Sequence, residues 1–219
     1  MTLLEFARGP ALQASALIMI AGIAWRLAGI LLLRRRPRYA ASRHSAAGRM
    51  GRGAFLILSR LIPRPTFRPR IAVGVMLSAV FHLGLAVVVF GGAPHILLIH
   101  QATGLTWPNL PKGLVVIASG LTLAAMIALM ARRLTHPVLR LLSTADDHVS
   151  WLLVFLPVLT GMLLSGETVG GYGNLLALHI LSVELMVIWL PFGKLMHTVL
   201  VFAGRWTMGV NFARKGAAT

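Results

Sequence analysis

Leu178-His179-Ile-Leu-Ser-Val-Glu184-Leu-Met-Val-Ile-Trp189-Leu-Pro191-Phe-Gly193-Lys194-Leu-Met-His197 is an apolar run with a histidine near each end. The two histidines are eighteen positions apart. A straight helix turns about 100° per residue, so eighteen residues make five whole turns and both imidazoles leave the same face. At about 1.5 Å per residue the rings are roughly 27 Å apart, one near each edge of a hydrocarbon layer about 30 Å thick. An imidazole on an apolar helix needs a partner, and its usual strong partner is a metal.

The rest of the chain has the same character. Of 219 residues, 57% are hydrophobic and only 12% are charged, too apolar for an ordinary soluble domain. The reading is one integral membrane domain over residues 1–219. The formal charge is +16, from 21 Lys and Arg against 5 Asp and Glu. The arginines lie mainly between apolar runs, which points to membrane topology, anionic lipid headgroups and an acidic docking partner. No nucleic-acid recognition module accompanies the charge, so nucleic acid is not an expected partner. There are no cysteines. That excludes disulfides, thiolate zinc sites, covalent c-type haem and an ordinary iron–sulfur cluster within the chain.

Hydropathy and punctuation predict an all-α integral membrane bundle of five transmembrane helices. The spans run over about 11–33, 71–91, 113–131, 149–165 and 174–200. The first carries no cleavable signal pattern and ends in Arg34-Arg35-Arg36. Residues 34–70 hold eleven arginines and are read as a cytoplasmic loop. Within the loop, 53–62 is too short to span and reads as an interfacial helix, with Pro63, Pro65 and Pro69 breaking the chain behind it. Arg132, Arg133 and Arg140 return to the same side, as does the basic tail 205–215. The N-terminus is then outside and the C-terminus cytoplasmic, in a multi-pass protein of the inner (cytoplasmic) membrane. Gly91-Gly92-Ala-Pro94 predicts a bend after the second span. Asp146 or Asp147 is read as the N-cap of the fourth or as an acid favouring its helix dipole.

Histidines cluster at the edges of two spans. His82 and His197 fall in the cytoplasmic half, and His95 and His179 near the outer surface. Two cross-helix pairs follow, each suited to clamp one haem iron by axial imidazoles, so the expected cofactors are two b-type haems. Thirteen residues from His82 to His95 make about 3.6 turns, a phase the Gly91–Pro94 bend would have to correct. His100 is in phase with His82 if the helix survives Pro94, and is the alternative to His95. His44 lies in the polar loop and reads as solvated, and His136 precedes Pro137 in a polar turn. Arg26, inside the first span, either snorkels to the inner surface or partners a haem propionate. Glu184 is either a structural polar contact or part of a proton path.

Leu190-Pro191-Phe192-Gly193-Lys194-Leu195-Met196-His197 resembles the last helix of the respiratory nitrate reductase gamma-subunit family. That family includes the membrane cytochromes of sulfite-reductase-associated and heterodisulfide-reductase-like complexes. Phe81-His82-Leu-Gly84, Asp146-Asp147 and Thr160-Gly161 are similar to it as well. Gly193 stands where the family has serine. Gly92 stands where nitrate reductase subunits place the fourth ligand, with His95 three residues on. The resemblance implies a five-helix, two-haem anchor that oxidises quinol and passes electrons to cytoplasmic iron–sulfur and catalytic subunits. It implies no catalysis on the terminal substrate by this chain. It also implies a quinone-site role for Lys112, whose other reading is an interfacial snorkelling lysine. The rival classes are a haem-free proton or ion transporter using Glu184, Arg26 and the histidines, and a purely structural anchor.

Overall fold

The computed structural model describes residues 1–32, 45–61, 66, 68–166 and 171–216. The arginine run 34–36, His44 and the prolines at 63 and 65 lie outside the described residues. In chain order, α1 (Leu3–Phe6) runs through a π-type turn (Ala7–Ala11) into α2 (Leu12–Leu32). Then come α3 (Ala46–Ser59), α4 (Arg68–Gly91), α5 (Ala93–Thr103), α6 (Lys112–Thr135), α7 (Pro137–Leu142), α8 (Ala145–Ser165) and α9 (Tyr172–Trp189). A 3₁₀ turn (Lys194–Met196) leads into α10 (His197–Lys215). Among the described residues every regular element is helical. Five stretches are long and apolar enough to cross a membrane: Leu3–Leu32, Pro69–Gly91, Lys112–Thr135, Ala145–Ser165 and Tyr172–Trp189. In hydrocarbon the backbone must satisfy itself, and helices do so locally.

Helix starts are set by side chains that take up free N–H groups. Thr2 and Glu5 form a reciprocal capping box, which begins the first long helix at Leu3, eight residues before the expected start. The N-cap of α8 is Thr144, and Asp146 and Asp147 take the other expected place, in the first turn where they favour the helix dipole. Asp147 is the third helical residue, its carboxylate accepting from the Thr144 N–H at 2.8 Å. Ser45 caps α3, so the amphipathic helix begins at Ala46, well before residue 53.

The larger correction concerns the last span. It ends at Trp189 and does not continue through His197 to residue 200. Pro191 has no N–H to give a helix and crowds the preceding turn. Gly193 is extended, at φ −101° and ψ −171°. The chain then restarts as α10, so His179 and His197 belong to different helices and the whole-turn argument does not apply.

The packed pairs run α4 on α6, α6 on α8, α8 on α9 and α9 on α2. α4 and α9 do not pack closely on one another among the described residues. The contacts are built from small residues. A Cβ added at Gly84 would lie 2.1 Å from Thr122 Oγ1, and one at Gly22 would lie 2.5 Å from Pro191 Cγ. Such close approach drives helix association where lipid offers no hydrophobic gain. Trp151 donates to the Met126 carbonyl at 2.9 Å and Trp189 to Ser150 Oγ at 3.0 Å, tying α8 to both neighbours. Thr122, Ser119 and Ser150 are buried, while Leu17, Trp25 and Leu31 face outward. α3 packs on α10 through Gly53 and Gly209.

Candidate functional site

The helix break after α4 decides where His95 points. Gly91 ends α4, and Gly92, with ψ 125°, turns the chain out of helical geometry. Pro94 then sits in the first turn of α5, where a missing N–H costs nothing. The carbonyl of Gly91 accepts from Leu110 N at 2.9 Å, and that of Phe90 from Trp107 Nε1 at 2.7 Å. The break therefore leaves these carbonyls satisfied and turns His95 toward α9.

Four of the histidines meet as two pairs across the space between α4–α5 and α9–α10. The ring centroids of His82 and His197 are 6.4 Å apart with planes at 76°. Those of His95 and His179 are 6.2 Å apart with planes at 40°. These distances exceed direct stacking and have a chemical meaning. A metal–imidazole bond is about 2 Å and the ring centre lies about 1.1 Å behind its nitrogen, so a pair of imidazoles that shared one metal would have centroids up to about 6.2 Å apart. Among the described residues no three His, Cys, Asp or Glu side chains gather around a common point. Each pair offers two imidazoles and no third side-chain ligand among the described residues.

All four rings are also oriented alike. His82 Nδ1 donates to the Ser78 carbonyl at 2.7 Å, His95 Nδ1 to the Val88 carbonyl at 2.9 Å and His197 Nδ1 to the Lys194 carbonyl at 2.8 Å. A carbonyl can only accept, so Nδ1 carries the proton and Nε2 keeps its lone pair. His179 Nδ1 lies 3.1 Å from Thr160 Oγ1, and that hydroxyl gives its own proton to the Leu156 carbonyl at 2.8 Å. Thr160 therefore accepts from His179, and the fourth ring has the same tautomer. Fixing Nδ1–H on a protein acceptor is how metal-binding histidines are held in tautomer and orientation.

Two supports hold these rings. Gly161 makes room for the His179 ring: an added Cβ would lie 3.1 Å from Cε1. The His82–His197 pair rests on a clamp at the start of α8. Asp147 forms an ion pair with Lys194 and another with Arg133 at 2.9 Å, and Lys194 Nζ lies 3.2 Å from Thr144 Oγ1. Asp146 accepts from the Lys194 backbone N–H at 3.2 Å and from Ser150 Oγ at 2.7 Å. The clamp holds the residue whose carbonyl orients His197. Its only sequence signal is the Asp-Asp pair opening one span and the lysine three residues before the last histidine.

The other candidates lie as follows. His100 is exposed on α5 and meets no other ring, while His136 occupies the N-cap position of α7. Arg26 is exposed and lines a groove of about 360 Å³ with Trp25, Gly29, Ile30 and Leu200, one turn along α10 from His197. Lys112 is the exposed first residue of α6, one turn before Val115, which abuts the Gly92 break. Glu184 is buried on α9, and neither carboxylate oxygen has a hydrogen-bond partner among the described residues.

No family model matches the chain, and no solved structure matches it. A protein of Nitratidesulfovibrio vulgaris is 31% identical over 223 residues, a similarity covering 98% of this chain and 96% of the relative. That relative is named simply "Protein", so the similarity carries full-length kinship and no activity.

Proposed function

The chain belongs to the family of the Nitratidesulfovibrio vulgaris protein, and on that premise we propose that it is a di-haem b-type cytochrome. It would be the membrane subunit of a respiratory oxidoreductase complex, linking the quinone pool to an iron–sulfur partner on the cytoplasmic side. The observation that carries this reading is the two imidazole pairs, at 6.4 and 6.2 Å, with all four rings offering an unprotonated Nε2. His82 and His197 would hold the inner haem, and His95 and His179 the outer. Arg26 is the candidate partner of a propionate, and Lys112 a candidate hydrogen-bond donor to a quinone. Bound haem supplies reversible one-electron transfer. The chain's own residues keep the rings in one tautomer, hold them at metal-spanning distance and keep neutral ligands in an apolar site.

The resemblance to nitrate reductase gamma subunits in the residues around His82 and His197 supports the same reading. So does the charge distribution. Arg133, Lys194 and the α3–α10 pair lie at one end of the bundle, which we read as cytoplasmic, with the N-terminus outside. Without cysteine, the iron–sulfur carrier has to be another chain.

A reduced-minus-oxidised absorption spectrum of the purified protein tests the proposal. Two b-type haems per chain are expected. His82→Ala and His197→Ala should remove the same haem, His95→Ala and His179→Ala the other, and His100→Ala neither. A colourless preparation would reject the reading in favour of a haem-free transporter or anchor.

A further inference from the structure

Gly22 brings α2 against Pro191, just where α9 has ended. Arg26 lies one turn beyond Gly22 and Gly29 two turns beyond, so the three share one face of α2. The break after Trp189 takes the partner helix away from that face. From Ala24 to Leu32 every residue of α2 is exposed. A groove of about 360 Å³ remains, walled by Trp25, Arg26 and Ile30 of α2 and by Leu200 of α10, with Gly29 as its floor. A Cβ added at Gly29 would meet nothing within 4 Å.

Arg26 is the one charged residue in this lining. Its guanidinium makes no hydrogen bond or ion pair among the described residues. An unpaired cation within a spanning segment is costly and calls for an anion. Arg26 is six residues, or about 9 Å, short of the end of α2, so a snorkelling side chain reaches the headgroup layer. Trp25 beside it is 79% exposed, and an indole favours the same depth. The stretch is exposed on a spanning helix, so the groove meets lipid and the anion comes from the bilayer. One cation beside apolar walls matches a phosphate with acyl chains next to it. The volume lies at the lower end for small-molecule pockets and suits one headgroup with its glycerol. Charge selects among headgroups. No Asp or Glu occurs from residue 6 to residue 145 or anywhere in α10. A choline or ethanolamine ammonium would find no acid there and would face a positive surface, whereas a headgroup without a cation is attracted.

We propose that the groove between α2 and α10 is a binding site for one anionic phospholipid, its phosphate on Arg26 and its glycerol and acyl chains against Trp25, Ile30 and Leu200. The site does not depend on haem. A haem propionate is the rival anion for this guanidinium.

The test is native mass spectrometry of the full chain in dodecyl maltoside, titrated with dioleoyl phosphatidylglycerol or dioleoyl phosphatidylcholine. One phosphatidylglycerol should bind at least tenfold more tightly than phosphatidylcholine. Arg26→Gln should abolish that preference. Arg26→Lys should keep part of it, because an ammonium retains the charge and loses the two-pronged contact. Gly29→Phe fills the groove and should weaken binding at least tenfold, with the melting temperature of the parent because its Cβ meets no protein atom. Arg214→Gln, near the far end of α10, should change nothing. Unchanged preference in Arg26→Gln or tight binding kept in Gly29→Phe overturns the site. So does an equal loss in Arg214→Gln, because net charge alone then attracts the lipid. Loss of one b-type haem in Arg26→Gln with lipid binding intact also overturns it and gives the guanidinium to a propionate. Preference for phosphatidylglycerol in a colourless protein leaves this site standing and sinks the haem reading alone.

Discussion

Replacing Gly84 with alanine puts a methyl where α4 and α6 leave no space. The added Cβ would lie 2.1 Å from Thr122 Oγ1 and 3.2 Å from the Ala118 carbonyl. Ordinary non-bonded contact needs about 3.5 Å, so the helices must separate by more than about 1 Å at this level. Thr122 cannot swing aside. It is fully buried, and its hydroxyl donates to the Ala118 carbonyl at 2.7 Å. Overpacking of this kind costs about 1–3 kcal/mol. Gly84 is two residues beyond His82, so retreat of α4 also disturbs the 6.4 Å approach of His82 to His197. The measurement is unfolding in mixed detergent micelles followed by circular dichroism, on Gly84→Ala, Thr122→Ala and the double variant. Thr122→Ala removes the obstructing oxygen, so the double variant should recover at least half of the loss, a coupling of about 1 kcal/mol or more. Unfolding of Gly84→Ala like the parent, or strict additivity in the double variant, would refute the claim that this contact sets the α4–α6 distance.

Two further outcomes follow from the supports of the rings. Asp147→Asn removes a helix cap partner and two part-exposed ion pairs, and should cost about 1–3 kcal/mol, with Lys194→Met milder because Arg133 keeps its carboxylate. In both variants thermal bleaching of the inner haem should come earlier than that of the outer; parallel bleaching would show that the clamp does not position His197. Thr160→Val removes the acceptor of His179 Nδ1–H at nearly constant volume. It should weaken haem retention at the outer pair by about 10- to 100-fold while sparing the inner pair. Equal loss at both sites in a haem titration would count against that assignment.

Three prolines show where sequence reading stops. Pro10 is absorbed in a π-type turn, Pro157 sits inside the unbroken α8, and Pro191 ends α9. Pro157 and Pro191 lie in apolar runs and Pro10 just before one, and nothing local ranks them. The break at Pro191 is stabilised from elsewhere: Gly22 of α2 admits the ring, and Asp146 of α8 takes the Lys194 N–H. Thr160 and Gly161 were visible as similar residues, but their contact with His179 depends on how α8 lies against α9. Glu184 drew notice as an acid in an apolar run, but the cavity beside it belongs equally to α2.

The count of five spans and the order of the basic segments follow from the chain alone. They depend on hydropathy, run length and charge order, which are local quantities in a solvent that forces each span to bond itself. The meeting of His82 with His197 and of His95 with His179, the shared tautomer and the gap between α4 and α9 belong to the folded bundle. The phase argument joined His179 and His197 on one straight helix, whereas the rings come from α9 and a separate α10. Which carbonyl a ring finds, and which ring lies opposite, is set by glycine contacts and helix breaks between segments far apart in sequence, so no single span encodes it.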